Sequence, residues 1–227
     1  SYINYPQCMH NYVVAWSIAF RAYGKNLVTL YGHNPLEFVD MLKSLRENLP
    51  GHDIYINFHN LAYDWTFLRK FLINEFGKPI SQLNTKAMYP LYIQFENGIR
   101  LKDTLALAQR SLDKWSQDMG VTPKATGLWI YDKVRNQCDP FSQDEITYIE
   151  HDVVSGVECI DATLKALKKN VSSIPVTATG IARGESRAGG GKEAHEYFKR
   201  LAPEDYEMQL IYEALFHGGY THANRYS

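Results

Sequence analysis

The stretch that decides the fold is Asn57-Phe58-His59-Asn60-Leu61-Ala62-Tyr63-Asp64-Trp65-Thr66-Phe67-Leu68. It ends an apolar run over residues 53–58 that predicts a buried strand, and it opens an apolar-periodic run over residues 64–76 that predicts a helix. Asp64 would therefore lie at the positive end of a helix dipole, which keeps a carboxylate ionised. An ionised carboxylate beside a strand end suits a hard cation such as Mg²⁺. The alternative is that Asp64 only caps the helix.

The composition is that of a globular protein. Of the 227 residues, 45% are hydrophobic and 22% are charged, which is ordinary for a folded domain. The net charge of −1 gives no global positive field, so a nucleic-acid partner would need locally positive charge. The 16 Tyr and 10 Phe are core anchors by default and stack on bases only where they line a groove.

The cysteine content and the hydropathy of the sequence indicate the kind of compartment in which the protein works. Cys8, Cys138 and Cys159 are an odd number without a C-x-x-C pair, which argues against a disulfide framework and for a reducing compartment. The sequence has no apolar run long enough for a bilayer and no signal-peptide pattern. We expect a soluble cytoplasmic protein that makes no membrane contact.

The pattern of strands and helices predicts an α/β domain with a mixed sheet. Strands are predicted over residues 12–20, 27–31, 53–58, 89–95 and 99–102, and Asn97-Gly98 before the last is a hairpin turn. Helices are predicted over residues 34–45, 64–76, 111–119 and 142–167. The last helix begins with the capping box Ser142-Gln143-Asp144-Glu145. Its apolar stripe comprises Ile146, Ile149, Val153, Val157, Ile160, Leu164 and Leu167.

A change in composition near residue 170 predicts the end of this domain. We expect residues 1–170 to form one domain and residues 171–227 to form a helical connection toward another domain. Within the connection, residues 177–183 favour a helix start, and residues 184–191 are rich in Gly and Ser, which is typical of a mobile loop. Two polar helices are predicted over residues 193–201 and 204–215.

The long helix carries a second candidate pair, Tyr148 and Asp152. Their spacing of four residues places both on one helical face, beside the stripe that holds Ile149 and Val153. This arrangement can present a carboxylate to a metal and a phenol to a metal-bound water, as two-metal phosphodiester hydrolysis requires. The alternative is a Tyr at a helix edge beside a solvated Asp.

Taken in order, these two stretches resemble a known family. Residues 59–67 followed by Tyr148-Ile149-Glu150-His151-Asp152 resemble the second and third exonuclease motifs of family B DNA polymerases, most closely the protein-primed branch of phages and linear plasmids. The segment Phe216-His217-Gly218-Gly219 resembles that branch's Tyr-x-Gly-Gly loop, with Phe for Tyr. The resemblance implies an RNase H-like (DnaQ-like) 3′→5′ proofreading exonuclease fold, a central mixed sheet flanked by helices, ahead of a polymerase domain.

The resemblance also implies catalytic roles for four residues. Asp64 and Asp152 would hold the catalytic metals, Mg²⁺ or Mn²⁺. Tyr148 would orient the attacking water. Lys124 resembles the catalytic lysine near the scissile phosphate, although its spacing to Tyr131 departs slightly from the family pattern.

A further set of residues would bind DNA. The resemblance implies that Asn60, Tyr63 and Phe67 contact the frayed single-stranded 3′ end, where stacking is worth roughly 1–3 kcal/mol per base. Thr104 and Leu105 resemble the short Ser-Leu element that touches the same strand. Each has an alternative: Phe67 would be partly core, and Thr104 would simply end a strand. The connecting loop would add DNA contacts from His217, Gly218 and Gly219.

One departure from the family pattern is serious. The first exonuclease motif, Asp-x-Glu, supplies two of the four metal carboxylates, yet no Asp or Glu precedes Glu37 in this sequence. Aligned without a gap, the motif would fall near Ser1 and Ile3. Because Asp64 and Asp152 alone offer too few anionic ligands for two divalent ions, we expect little or no exonuclease activity from this chain by itself.

Three functional hypotheses remain at the level of the sequence. The first is the exonuclease portion of a protein-primed polymerase, acting as a monomer on single-stranded DNA and a primer 3′ end, with nucleotides and a terminal protein as partners of the full polymerase. The second is a metal-free single-stranded-DNA-binding module of the same fold. The third is a stand-alone exonuclease, which the Gly218-Gly219 connector disfavours. A zinc site at His59 and His151 is a weaker possibility, because the family uses oxygen ligands.

Overall fold

A computed structural model describes residues 13–21, 27–136, 139–201, 205, 207–208 and 210–211. The chain divides into two compact units, the first ending at Ala178 and the second beginning at Thr179. The predicted DNA contacts His217, Gly218 and Gly219 lie outside the described residues. The functional roles predicted for residues 1–170 and 171–227 stay predictions.

The described residues contain six strands and six helices, with the strands in the first half of the chain and most of the helices after them. The strands are β1 (Trp16–Arg21), β2 (Leu27–Gly32), β3 (Ile54–Phe58), β4 (Ser81–Lys86), β5 (Tyr89–Gln94) and β6 (Ile99–Asp103). The helices are α1 (Pro35–Asn48), α2 (Leu61–Phe76), α3 (Leu105–Ala108), α4 (Leu112–Met119), α5 (Gln143–Leu167) and α6 (Ala178–Leu201). No helix in these ranges is both long and apolar enough to cross a membrane.

The strands of the described residues form two sheets. One is four-stranded in the order β3-β6-β5-β4, and the other is the β1-β2 hairpin. β3 runs parallel to β6, whereas β6-β5 and β5-β4 are antiparallel. The predicted mixed sheet is therefore confirmed, although it is accompanied by a separate antiparallel pair. Gly98 makes the predicted β5-β6 turn with φ +86°, a conformation that costs glycine little.

Strand β4 was not predicted from the sequence. All six of its residues, Ser81–Lys86, are exposed, so the sequence shows no alternation of buried and exposed side chains. It is a strand because it pairs with β5 at the edge of the sheet. Pairing of this kind depends on a neighbour and not on the strand's own residues.

Helices that begin with a side-chain cap start where the sequence predicts. α1 and α5 both begin with a complete capping box, Asn34 with Glu37 and Ser142 with Glu145, as predicted. α2 begins at Leu61, three residues before the predicted start at Asp64. Asn60 precedes it with φ +86° and makes no side-chain cap, so no local capping signal marks this start.

The predicted mobile loop at residues 184–191 is wrong. These residues belong to α6, which has a single non-helical residue at Gly191. Glycine lowers helix propensity by about 1 kcal/mol per residue, so a segment rich in glycine favours a loop when its sequence is considered alone. The predicted helix over residues 193–201 forms the part of α6 after that break, and most of residues 204–215 lie outside the described residues.

The core of the first unit lies between the four-stranded sheet and two helices. α2 packs against β3, β5, β6 and α1. The buried cluster comprises Phe38, Val39, Leu42, Ile56, Leu61, Trp65, Leu68, Leu72, Ile93, Phe95, Ile99 and Leu101. Burying such side chains is the main favourable term in folding. α2 is thereby fixed on the sheet, and with it the residues of its first turn.

The long helix α5 packs against β1, β2 and α4. Its contacts with the β1-β2 pair are partly polar: Arg21 pairs with Glu158 and Asp161, and the Thr29 hydroxyl donates to Glu150 at 2.9 Å. After α5, the buried Lys102 ammonium donates to the carbonyl of Val171 at 2.8 Å. This bond ties the segment that follows α5 to strand β6.

Candidate nucleic-acid cleft

A cleft of about 780 Å³ in the first unit brings most of the candidate residues together. Its walls come from β1, β3, α1, the first half of α2 and one face of α5. The predicted site residues that line it are Tyr63, Asp64, Phe67, Thr104, Lys124, Tyr148 and Asp152. Asn60 and Leu105 stand next in sequence to cleft-lining residues but are not themselves part of the lining. The fold thus gathers side chains that are far apart in the sequence.

The apolar stripe predicted on α5 also faces this cleft. Ile149, Val153, Val157 and Ile160 line it, together with Gly156. Ile149 of this stripe is itself buried, at 5% exposed, as are Ser155 and Cys159 elsewhere on the helix. The stripe is therefore a wall of the cleft.

Asp64 projects from the first turn of α2 into the cleft. Burial, with a smaller contribution from the nearby Asp103 carboxylate, raises the pKa of Asp64 from 3.8 to about 6 against the opposing effect of a backbone hydrogen bond. A partly buried carboxylate with a raised pKa is typical of functional sites. The alternative that Asp64 caps α2 is not what the structure has, because the N–H of Leu61 donates to Asp103 and not to Asp64.

Asp152 and Lys124 form an ion pair within the cleft. Lys124 Nζ lies 3.1 Å from Asp152 Oδ1, and each side chain is 30% exposed. Burial raises the pKa of Asp152, and Lys124 offsets part of that rise. Burial lowers the pKa of Lys124, but the charge of Asp152 and the neighbouring Tyr148 outweigh it, so the net pKa of Lys124 is raised. Lys124 is therefore cationic at neutral pH.

Tyr148 lies beside this pair in an aromatic group. Lys124 Nζ is 5.4 Å from the centroid of the Tyr148 ring. The hydroxyls of Tyr148 and Tyr131 are 2.9 Å apart, and Trp129 packs on the Tyr148 ring at 5.5 Å between centroids. Burial, together with the Tyr131 hydroxyl and the Asp152 charge, raises the pKa of Tyr148 to about 12. The phenol therefore keeps its proton and can hold a water molecule by hydrogen bonding.

His59 and Thr104 close one wall of the cleft with bonds inside the protein. His59 Nε2 lies 3.0 Å from the carbonyl oxygen of Arg110 and donates to it, since a carbonyl only accepts. Nδ1 lies 3.1 Å from the Thr104 hydroxyl, which also lies 3.1 Å from the Phe58 carbonyl oxygen. Both nitrogens of His59 are engaged, which disfavours the zinc alternative. The single hydroxyl hydrogen of Thr104 is likewise used within the protein.

The aromatic candidates on α2 form the outer rim. Tyr63 is 64% exposed, and its ring meets the Phe67 ring edge to face at 5.3 Å between centroids. Phe67 is half-buried and lines the cleft, and its predicted contact with DNA stays a prediction. Asn60 is exposed and Leu105 is half-buried at the start of α3.

Asp103 and Trp129 were not predicted as site residues, and Tyr131 was considered only for its spacing from Lys124. Asp103 is 6% exposed, and both of its carboxylate oxygens accept backbone N–H groups. Its only sequence signal is an acidic residue where a strand meets a helix start. Trp129 and Tyr131 lie in the irregular connection before α5, where aromatic side chains without periodicity give no indication of what they contact.

The described residues do not by themselves fit a two-metal centre. Among them, no three His, Cys, Asp or Glu side chains are grouped so that they could hold a metal ion. Asp64 and Asp152 line one cleft, but Asp152 is already paired with Lys124. Two divalent ions bridged at a phosphodiester need several carboxylate oxygens. The set of metal-ligating side chains among the described residues is thus partial.

The fold and cleft define a mixed α/β domain with a groove that is lined by aromatic side chains and by charges of both signs. Its fold is similar to that of Phi29 DNA polymerase, a protein-primed family B polymerase. The complex of that enzyme with primer-template DNA and incoming nucleotide substrates matches with a TM-score of 0.66 and 17% identity, covering 87% of this chain and 35% of that chain. Its complex with single-stranded DNA matches with a TM-score of 0.65 and 17% identity over the same shares.

A post-translocation complex of Phi29 DNA polymerase with primer-template DNA matches at a TM-score of 0.53 and 18% identity, over 67% of this chain and 28% of that chain. The chain spans about a third of the length of the first two structures. No protein-family model and no curated protein matches the sequence. The predicted resemblance to protein-primed family B polymerases is therefore confirmed as a likeness of fold.

Proposed function

We propose that this chain is the 3′→5′ exonuclease portion of a protein-primed DNA polymerase, with an RNase H-like (DnaQ-like) fold. Its cleft would take the frayed single-stranded 3′ end of a primer. The observation that carries the proposal is that Asp64 from α2, Lys124 from a connection, and Tyr148 and Asp152 from α5 all line one cleft. The fold likeness to Phi29 DNA polymerase supports the same class.

In this proposal each part of the cleft has a separate task. The exposed ring of Tyr63, supported by Phe67, stacks on a terminal base. The Lys124 ammonium attracts the phosphate that follows, and the protonated phenol of Tyr148 holds a water near it. Single-stranded DNA and a primer 3′ end are the proposed ligands. Nucleotides and a terminal protein are proposed partners of a full polymerase, with this chain acting as a monomer.

We propose that the chain alone binds DNA and hydrolyses it weakly or not at all. Among the described residues, Asp64 and Asp152 are the two carboxylates proposed to bind metal. The first motif, Asp-x-Glu, is missing from the sequence ahead of Glu37. Mg²⁺ or Mn²⁺ is the cofactor proposed for the intact domain, where it would polarise the scissile phosphate. DNA binding therefore tests the function more directly than hydrolysis does.

The experiment measures the fluorescence anisotropy of a labelled oligothymidylate titrated with the full chain. Tyr63→Ala should weaken binding by about 5- to 100-fold, which corresponds to one lost base stack. Tyr89→Ala is the matched control, because Tyr89 is 47% exposed and stacked under Lys86, away from the cleft lining. The proposal fails if the wild type does not bind, or if both substitutions have the same effect.

A second candidate function is a metal-free single-stranded-DNA-binding module. The observation in its favour is the Lys124–Asp152 pair, because the ammonium of Lys124 lies where a cation would neutralise Asp152. Binding to oligothymidylate that is identical in Mg²⁺ and in a chelator would favour this module. Hydrolysis after an Asp-x-Glu strand is added at the N-terminus would favour the exonuclease.

A further inference from the structure

Two segments that border the cleft are held together by one buried carboxylate. We propose that Asp103 is a positioning residue that fixes the starts of α2 and α3 relative to each other, so that Tyr63 and Asp64 in the first turn of α2 keep their places in the lining of the cleft that would take the single-stranded 3′ end. This inference deepens the proposed function and rests on it.

The sheet brings the two segments to the same edge. β3 and β6 are parallel neighbours, and their last residues, Phe58 and Asp103, are paired in the register. The N–H of Thr104 donates to the Phe58 carbonyl at 2.8 Å. The chain leaving β3 enters α2, and the chain leaving β6 enters α3. Parallel strands that end together therefore place two helix starts side by side.

Asp103 then bonds to both helix starts at once. Its Oδ2 accepts the N–H of Leu61, the first residue of α2, at 2.6 Å, and its Oδ1 accepts the N–H of Ala106 in α3 at 2.8 Å. The first N–H groups of a helix have no partner within the helix and are normally bonded by a side chain just before it. Asn60 makes no such bond, so a residue on another strand supplies the cap.

A second link joins the same two segments. His59 Nδ1 lies 3.1 Å from the hydroxyl of Thr104, and the His59 ring stacks near Trp115 at 5.9 Å between centroids. Both links are buried, since Asp103 is 6% exposed and Thr104 is 5% exposed. Charge-assisted hydrogen bonds of a buried carboxylate are stronger and more directional than neutral ones. Asp103 is thus the main constraint on the register.

The register matters because of what the first turn of α2 carries. Tyr63 and Asp64 follow Leu61 by two and three residues, so a shift of the helix start moves both. A shift of α3 moves Leu105, its first residue. A binding site requires that its ligand-contacting side chains be held in the correct geometry by neighbouring residues. Asp103 touches no ligand in this arrangement and acts through the residues that do.

The test compares Asp103→Asn and Asp103→Ala with Ser111→Ala. Asparagine keeps one acceptor oxygen and turns an NH₂ group toward the other backbone N–H, so one of the two bonds is lost. Ser111 caps α4 through the N–H of Lys114 at 3.3 Å, which makes Ser111→Ala a matched loss of a cap away from the cleft. Oligothymidylate affinity, the melting temperature and amide hydrogen exchange at Leu61 and Ala106 are measured for each.

Asp103→Asn should weaken oligothymidylate binding by about tenfold, the equivalent of one misaligned stack, while Ser111→Ala leaves it within error of the wild type. Exchange should accelerate at Leu61 and Ala106 together in Asp103→Asn. Adding Tyr63→Ala to Asp103→Asn should cost less than Tyr63→Ala costs alone, because the ring is already out of register.

Each outcome decides the proposal. Unchanged affinity in a folded Asp103→Asn protein, or full additivity with Tyr63→Ala, overturns it. Unchanged exchange at Leu61 also overturns it, and this measurement does not depend on DNA. A wild type that does not bind oligothymidylate refutes the proposed function, whereas the exchange data still decide whether Asp103 couples the two helix starts.

Discussion

At Asp64, burial disfavours the charged form of the carboxylate. Its pKa of about 6 exceeds the value in an unfolded chain, so the folded state binds the proton more tightly. The folding free energy therefore becomes less favourable as pH rises from about 4 to about 6. Above that range the ionised Asp64 is a net cost to stability. A buried charge that costs stability is typical of a residue kept for function.

Replacing Asp64 by Asn should remove that cost. At about pH 7, Asp64→Asn should raise the free energy of unfolding by up to about 3 kcal/mol, the equivalent of a two-unit pKa shift. The advantage should vanish below about pH 4, where Asp64 is protonated in both states. Urea unfolding at both pH values measures it. Asp40→Asn at an exposed site on α1 is the control and should change little, and an Asp64→Asn protein less stable than the wild type would contradict the argument.

The ion pair in the cleft makes a separate prediction. Lys124→Met should lower the free energy of unfolding at neutral pH by about 1–2 kcal/mol, because it leaves Asp152 partly buried without its cation. The double variant Lys124→Met with Asp152→Asn should recover most of this loss. Urea unfolding of the four proteins gives the coupling energy. A double variant no more stable than Lys124→Met would show that the pair adds nothing to stability.

Individual site residues could be predicted from the sequence where their spacing along the chain determines their relative positions. Tyr148 and Asp152 share a face of α5 because four residues make about one helical turn, and Asp64 follows a strand end within one segment. Asp103 could not be read in this way. Its partners Leu61 and Ala106 lie on different segments, and only the parallel pairing of β3 with β6 brings them together.

At the scale of elements, the start of α5 is fixed by a buried charge cluster. Glu145 is 3% exposed and Arg135 is 8% exposed, and Glu145 Oε1 accepts from Arg135 Nη2 at 2.8 Å. Glu145 also accepts the N–H of Ser142 at 2.9 Å and pairs with Lys133. These bonds lower the pKa of Glu145 to about 2, with the Ser142 N–H as the largest cause. The cluster secures the connection before α5 to the helix that carries Tyr148.

Glu145→Gln should therefore destabilise the protein by about 3 kcal/mol at neutral pH, because it removes the buried carboxylate that accepts hydrogen bonds from the Arg135 guanidinium. The folded pKa of Glu145 lies below its unfolded value, so its stabilising effect is complete above about pH 4.5 and is lost as pH falls toward about 2. The difference between wild type and variant should shrink over that range in urea unfolding. Glu193→Gln at an exposed site is the control, and a pH-independent difference would contradict the assignment.

Elements with local signals were predicted and those without were not. The capping boxes at Asn34 and Ser142 are made within four residues, so the sequence alone defines them. β4 has six exposed residues and exists only through pairing with β5. α2 starts at Leu61 because Asp103 bonds to it from β6. Both misses have the same cause, since the stabilising partner lies on another element.

At the scale of the whole molecule, the partial donor set of the cleft predicts how activity could be obtained. A version extended at its N-terminus by a strand that carries Asp-x-Glu should degrade labelled single-stranded DNA from the 3′ end in Mg²⁺ or Mn²⁺. Asp64→Ala and Asp152→Ala in that protein should each lower the rate by at least about 100-fold, as loss of a group that acts on the reacting atoms does. Time courses on labelled oligonucleotides measure the rate.

The control for that experiment is the same extension with Asn-x-Gln in place of Asp-x-Glu, which keeps the strand but removes the charges. It should bind oligothymidylate and not degrade it. If Asp64→Ala and Asp152→Ala left the rate unchanged, the cleft would not be the catalytic centre. If neither extended protein degraded DNA while both bound it, the metal-free module would be the better description.

The sequence alone determined the α/β class, the two capping boxes, the hairpin at Gly98 and the candidate residues around Asp64 and Asp152. These follow from interactions within a few residues or from helical spacing, which a sequence displays directly. Tertiary structure alone decided that these side chains share a cleft, that Lys124 pairs with Asp152, and that Asp103 caps α2. Those contacts join residues far apart in the chain, so they exist only once the sheet and α5 have packed.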